Sequence, residues 1–171
     1  MRALLFKAPE RVPLGTVEPR VFLSGSIEMG TAEKWQETAT KMLEHLPIVI
    51  LNPRRDDWDS SWKQTIDDPQ FREQVEWELG GLESAEFVLM HFDPATKSPI
   101  TLLEFGMLAS RAPGSLFVSC PPGFYRRGNL EVVCARYEIR LFDNLTDTLL
   151  ALDARLKMMC QRRKLLPAMP M

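Results

Sequence analysis

The sequence predicts a doubly wound α/β domain built on a mostly parallel five-stranded sheet with helices on both faces, flavodoxin- or Rossmann-like. Two observations carry that prediction. Short apolar, β-branched runs alternate with longer segments of helical period, which is the pattern of βαβ crossovers. The strand runs are also apolar at nearly every position, as strands covered on both faces must be.

The elements follow in order. Residues 1–19, with Pro9, Pro13, Gly15 and Pro19, read as an irregular arm. "RVFLSGS" is the first predicted strand, ending in a Ser/Gly turn. "TAEKWQETATKMLEHL" places Ala32, Trp35, Ala39, Met42, Leu43 and Leu46 on one helical face, with Thr31 as its cap. "PIVILN" is the second strand and runs into the polar loop "NPRRDDWDSSWKQTIDDP", whose length suggests function. "QFREQVEWELGGLESA" reads as a helix ended by Gly80-Gly81, and "EFVLMHFD" as the third strand. "ITLLEFGMLASR" is a helix, "SLFVSC" a strand, "RGNLEVVCARY" a short helix and "EIRLF" the last strand. "NLTDTLLALDARLKMMCQRR" closes the domain as a helix capped by Asn144. The resulting division is an arm over 1–19, a domain over 20–163 and a loose tail over 164–171.

Composition narrows the function classes. Hydrophobic content of 45% and charged content of 26% belong to a soluble globular protein. A net charge of −2 gives no electrostatic reason to bind nucleic acid or an anionic membrane. No apolar run reaches the ~18 residues of a membrane span. Cys120, Cys134 and Cys160 are odd in number and widely spaced, which fits a reducing cytoplasm better than a disulfide framework or a zinc site.

In an open parallel sheet, ligands sit beyond the carboxyl ends of the strands. The loops to inspect are therefore "SGSIEMG", "NPRRDDWDSSW", "DPATKSP" and "CPPGFYRRGN". In the first, Ser24, Gly25 and Ser26 could offer backbone N–H groups to a ligand, or form a simple tight turn. Trp58 is a candidate for stacking on a ligand ring, as are Trp62 and Trp77, though most tryptophans serve packing. Arg54 and Arg55 favour pairing with Asp56, Asp57 and Asp59 over an anion. That acidic cluster has no neighbouring His or Cys and no EF-hand pattern, so no metal is assigned. His91 reads as a strand residue rather than a catalyst.

Glu104 stands among Ile100, Leu102, Leu103, Phe105, Met107 and Leu108. An unpaired buried carboxylate is costly. Thr101-x-x-Glu104 matches a capping box, whereas Ser98-Pro99 matches an N-cap with proline at the first helical position. Starting the helix at Ser98-Pro99 frees Glu104 from the box. It then stays ionised near the positive end of the helix dipole, as a nucleophile would. Glu78, near the end of the preceding helix, offers a second carboxylate, or else lies on a solvated face with Glu73, Glu76 and Glu83. Two carboxylates at one ligand edge suit glycosyl chemistry.

These residues resemble the nucleoside 2-deoxyribosyltransferase family, which includes the related nucleoside-monophosphate N-glycosidases. The resemblance rests on "VFLSGSI", on the spacing from "WELGGLESAEFVLMHF" to "SPITLLEFG", and on "GNL", over roughly residues 20–145. It implies that Glu104 in Glu104-Phe105-Gly106 forms a covalent (deoxy)ribosyl-enzyme and that Glu78 assists departure of the base. It implies that Ser98 lies where the nucleotide hydrolases approach the phosphate. Asn129 would reach the site of a neighbouring subunit, which makes a homodimer the minimum assembly. Two departures stand out: Phe22 replaces the tyrosine that orients the nucleophile, and Glu28 replaces the arginine of the phosphate loop. Glu28 favours an unphosphorylated nucleoside.

The expected function is cleavage or transfer of the N-glycosidic bond of a small nucleoside or nucleotide, with no cofactor. A non-catalytic nucleotide-binding or sensing module on the same fold is the alternative.

Overall fold

The computed structural model describes residues 2–13, 15–27, 33–55, 59 and 61–165. Among these, the chain forms strands β1 (Leu4–Lys7), β2 (Arg20–Gly25), β3 (Val49–Asn52), β4 (Phe87–His91), β5 (Leu116–Ser119) and β6 (Leu141–Phe142). The helices are α1 (Trp35–Leu43), α2 (Pro69–Ser84), α3 (Pro99–Ala109), α4 (Arg127–Arg136) and α5 (Leu145–Leu165). The strands make one sheet in the order β1-β3-β2-β4-β5-β6, and every pairing is parallel.

The sheet therefore has six strands where five were expected. The additional strand lies in the arm: Leu4–Lys7 pairs with Val49–Asn52. Its period is hard to read because Leu4 and Leu5 are exposed at the sheet edge while the next proline arrives at Pro9. The remaining five strands have the flavodoxin-like order, with the reversal of strand order between β2 and β4.

Alternation along β2 separates the two faces. Val21 and Leu23 pack with Trp35, Ala39, Leu43, Leu149, Leu152 and Leu156, so α1 and α5 cover that side. Phe22 packs with Leu82, Phe105, Ala109, Leu130 and Cys134, so α2, α3 and α4 cover the other. By the same period of two, Ser24 faces the α2/α3 side.

Helix ends depart from expectation at two places. α2 starts at Pro69, where Asp68 Oδ1 accepts from the backbone N–H of Gln70 and Phe71, both at 3.1 Å. It then runs through Gly80-Gly81 to Ser84 instead of stopping there. Gly81 is needed inside the helix for contact: a Cβ there would lie 2.6 Å from two carbons of the Phe22 ring, whereas one on Gly80 would meet nothing within 4 Å. α1 begins at Trp35, and the expected cap Thr31 lies outside the described residues. Asn144 does cap α5, its Oδ1 accepting from the Asp147 N–H at 2.8 Å. The helix continues to Leu165, two residues past the expected boundary of the tail. No helix among the described residues is long and apolar enough to cross a membrane.

The Gly81–Phe22 contact gives a direct test. Gly81→Ala should lower the unfolding free energy by about 1–3 kcal/mol through overpacking. In a Phe22→Leu background the same substitution should cost less. Urea melts of the four proteins in that double-mutant cycle measure the coupling, and additive costs would show that α2 shifts freely.

Candidate active site

The carboxyl ends of β2 and β4, at the point where strand order reverses, carry the polar residues that the sequence singled out. Ser24 Oγ donates to Glu104 Oε2 at 2.6 Å. The bond joins the carboxyl end of β2 to the second turn of α3, and both side chains are buried, Glu104 to 7% exposure. α3 thus turns its carboxylate inward. Several apolar residues that seemed to define a buried face point the other way: Ile100 is 59% exposed and Leu103 60%, with Met107 also exposed.

Glu78 approaches from α2 and is half-buried. Gln74, one turn earlier, donates from Nε2 to Glu78 Oε1 at 2.8 Å and to the Pro53 carbonyl at 2.9 Å. Glu78 and Glu104 are close enough for the charge of Glu78 to act on Glu104.

The electrostatics overturn the expectation of a permanently ionised Glu104. Burial pushes its carboxyl up to about 7, the Ser24 hydrogen bond opposes this, and repulsion from Glu78 adds to it. The dipole of α3 does not outweigh desolvation. Glu78 is also raised by burial, with the Gln74 bond pulling it back.

A second polar cluster lies beside this pair. Ser26 Oγ contacts Ser98 Oγ and Thr96 Oγ1, the latter at 2.8 Å, and accepts from the Asp93 N–H at 3.0 Å. Thr96 and Ser98 are also 2.8 Å apart. Ser98 occupies the cap position of α3 but its side chain makes no capping bond, and its backbone is left-handed at φ 45°. The expected Ser98 cap is therefore replaced by a hydroxyl cluster that ties the loop after β4 to the end of β2. The N–H of Ser26 is used as well, donating to the His91 carbonyl at 3.1 Å, so it is not offered to a ligand.

The other candidates take the following places. Gly25 is required by packing: a Cβ there would lie 2.5 Å from the Trp35 ring and 2.6 Å from the His91 carbonyl oxygen. Phe22 is fully buried, 6.2 Å ring to ring from Trp77, whose Nε1 donates to the Glu10 carbonyl at 2.9 Å. Asn129 is exposed in the first turn of α4. Trp58, Glu28, Asp56 and Asp57 lie outside the described residues. Arg55 reaches Glu73 Oε2 at 3.7 Å and stacks over Trp62, with 4.9 Å from guanidinium to ring centre. His91 ends β4, 3.0 Å from Ser119 Oγ; burial lowers it to about 4, so its imidazole stays neutral.

A recess of about 490 Å³ lined by Glu33, Lys34, Trp35, Thr38, His91 and Leu145 opens on the α1/α5 face, across the sheet from Glu104. It brings no paired carboxylates together. The paired carboxylates lie on the α2/α3 face. Sequence reasoning missed Gln74 and Thr96 there, since only folding brings either one to its partners.

The raised carboxyl makes stability depend on pH in a definite sense. Between about 4.5 and 7 the folded protein keeps a proton on Glu104 that the unfolded chain has released, so stability falls as pH rises through that window. Glu104→Gln keeps an acceptor for Ser24 and removes the charge. It should raise the unfolding free energy at pH 8 by on the order of 2 kcal/mol and change it little at pH 5. Denaturant melts at the two pH values decide this, and equal effects at both would refute it.

No curated protein matches the chain. A family profile described as "Nucleoside 2-deoxyribosyltransferase like" matches residues 18–124, which takes in β2 to β5 and both carboxylates. The chain belongs to the nucleoside 2-deoxyribosyltransferase-like family.

Proposed function

We propose that this protein cleaves or transfers the N-glycosidic bond of a nucleoside or nucleotide through a covalent glycosyl-enzyme on Glu104. The observation that carries this reading is the Glu104–Glu78 pair, with Glu104 buried against Ser24 at the strand-order reversal. Ionised Glu104 attacks C1′, and the C1′–N bond breaks through an oxocarbenium-like transition state. The bond electrons leave with the base, whose nitrogen takes up a proton from Glu78. Water or a second base then attacks C1′ and gives its proton to Glu78, the C1′–O bond to Glu104 breaks, and the carboxylate returns. Ser24 takes the part of an orienting hydroxyl, since Phe22 has none to offer. The chemistry is acid/base and nucleophilic, and asks for no cofactor.

Assembly into a homodimer fits the same reading. Asn129 is exposed in its own chain. Leu130 and Val133 pack inward, but Val132 on α4 and Ile100 and Leu103 on α3 present apolar surface outward. A second copy covering α3 and α4 would bury that surface and bring Asn129 toward the neighbouring site. Glu28 in place of an arginine supports a preference for the nucleoside over its 5′-monophosphate. A comparison of kcat/KM for the two decides that point, and faster turnover of the phosphate would reverse it.

Glu104→Ala should abolish turnover of a nucleoside panel assayed with and without an acceptor base, while leaving the fold intact. A 2-fluoro sugar analogue should leave an adduct on Glu104 visible by mass spectrometry. Ser24→Ala should lower kcat by roughly 10- to 100-fold, the worth of a hydrogen bond to a charged group. Full activity in Glu104→Ala would end this mechanism, and ligand binding without turnover by the wild type would favour a sensing module.

Shared sites have their own test. Mixing inactive Glu104→Ala subunits with inactive Asn129→Ala subunits should restore part of the activity. A fully active monomer in light scattering would return Asn129 to a purely local role.

A further inference from the structure

Gln74 is buried to 4% exposure, yet its carbonyl oxygen has no hydrogen-bond partner among the described residues. That is an expensive arrangement, and turning the amide over is the obvious remedy. Here the remedy is blocked. Nε2 lies between the Pro53 carbonyl and Glu78 Oε1, at 2.9 and 2.8 Å. A backbone carbonyl only accepts, so a turned amide would set oxygen against oxygen at Pro53. The amide is locked with both N–H groups in use, one on the loop after β3 and one on Glu78.

We propose that Gln74 is a positioning residue: clamped by the Pro53 carbonyl, its amide holds Glu78 Oε1 as an acceptor and so fixes which oxygen of the carboxyl group exchanges the proton. This rests on the reading of Glu78 and Glu104 as the reacting pair. The bond occupies one oxygen of Glu78 and leaves Oε2 to carry the proton exchanged with the departing base. It also sustains the charge whose repulsion reaches Glu104.

The charged groups around the pair are few among the described residues. α3 contributes Glu104, itself held by Ser24 of β2. The loop after β3 contributes Arg55, which reaches Glu73. α2 itself carries Arg72 and Glu76, 3.8 Å apart and exposed. The arm contributes Glu10, whose carboxylate accepts from the Lys7 backbone N–H at 2.9 Å. Of these, none but Glu104 is matched with Glu78 in burial and position.

Gln74→Met keeps the length and removes both donors. In the free protein, carboxylate ¹³C titrations assigned with Glu78→Gln and Glu104→Gln should then move in opposite directions. Glu78 should titrate higher by about 1 in pH, and Glu104 lower, because a less ionised Glu78 repels it less. With a nucleoside substrate, the limbs of the kcat/KM pH profile should move apart, the acid limb following Glu104 down and the alkaline limb following Glu78 up. Gln74→Ala, which cannot clash, serves if the methionine variant fails to fold. Unmoved titrations in either folded variant would overturn the proposal and reduce Gln74 to a structural tie. The two readings fail separately: a wild type that turns over no nucleoside removes the reaction but leaves the titration result standing.

Discussion

The hydrogen bond from Ser24 to Glu104 is the interaction on which the rest of this sheet edge depends. A carboxylate 7% exposed has lost most of its hydration, and one hydroxyl at 2.6 Å returns only part of it. The remainder appears as a carboxyl raised to about 7 instead of as a local collapse of structure. Protonated and ionised forms therefore coexist near neutral pH. A group so placed can bind as an acid and react as a base. On the proposed mechanism stability and reactivity are coupled at this residue, since the charge that weakens the fold is the charge that attack on carbon needs.

The fold supplies that geometry through close approaches rather than through a dedicated loop. Parallel pairing of β2 with β4 sets Ser24 beside Met90 and Gly25 beside His91, so the α2/α3 face of β2 opens between two helices. Gly25 lets the Trp35 ring and the β4 backbone come near on one side, and Gly81 lets α2 settle on Phe22 on the other. Each glycine fixes a helix against β2. The hydroxyl cluster of Ser26, Thr96 and Ser98 then holds the start of α3 to the same strand. With α2 and α3 both referenced to β2, their carboxylates have a fixed relation although they are 26 residues apart in sequence.

How much of this was legible in the sequence follows from where the information lies. The four inner strands, β2 to β5, were readable because burial on both faces leaves nearly continuous apolar runs such as "VILN" and "FVLMH". β1 was not, because an edge strand with exposed Leu4 and Leu5 has neither continuous burial nor clean alternation. Gly80-Gly81 read as a stop because helix propensity is local, whereas the reason for Gly81 is a Phe22 ring 59 residues away. Ser98 read as a cap for the same reason: its hydroxyl is claimed by Ser26, 72 residues away. Glu104 and Glu78 were found through motif order, but that order carried nothing about desolvation, so the raised carboxyl was missed. Gln74 left no signal, since a glutamine on an acidic helix looks like every other solvated one.

α3 shows why pattern alone misleads at such a site. Its apolar residues outnumber its polar ones, which reads as burial all round. The structure turns Thr101, Glu104, Phe105 and Ala109 inward and leaves Ile100, Leu103 and Met107 in water. Rotating the helix would bury Ile100, Leu103 and Met107 and hydrate the carboxylate but would expose Phe105 and Ala109, so hydrophobic burial alone does not settle the orientation. Two features oppose that rotation: the Ser24 bond on the inner side, and the tie of Ser98 to Ser26 at the start of the helix. On the proposed assembly a third acts from outside, because a second copy over Ile100 and Leu103 would repay their exposure only in the present orientation. The helix would then transmit assembly to the carboxylate directly, by fixing the rotation that keeps Glu104 against Ser24.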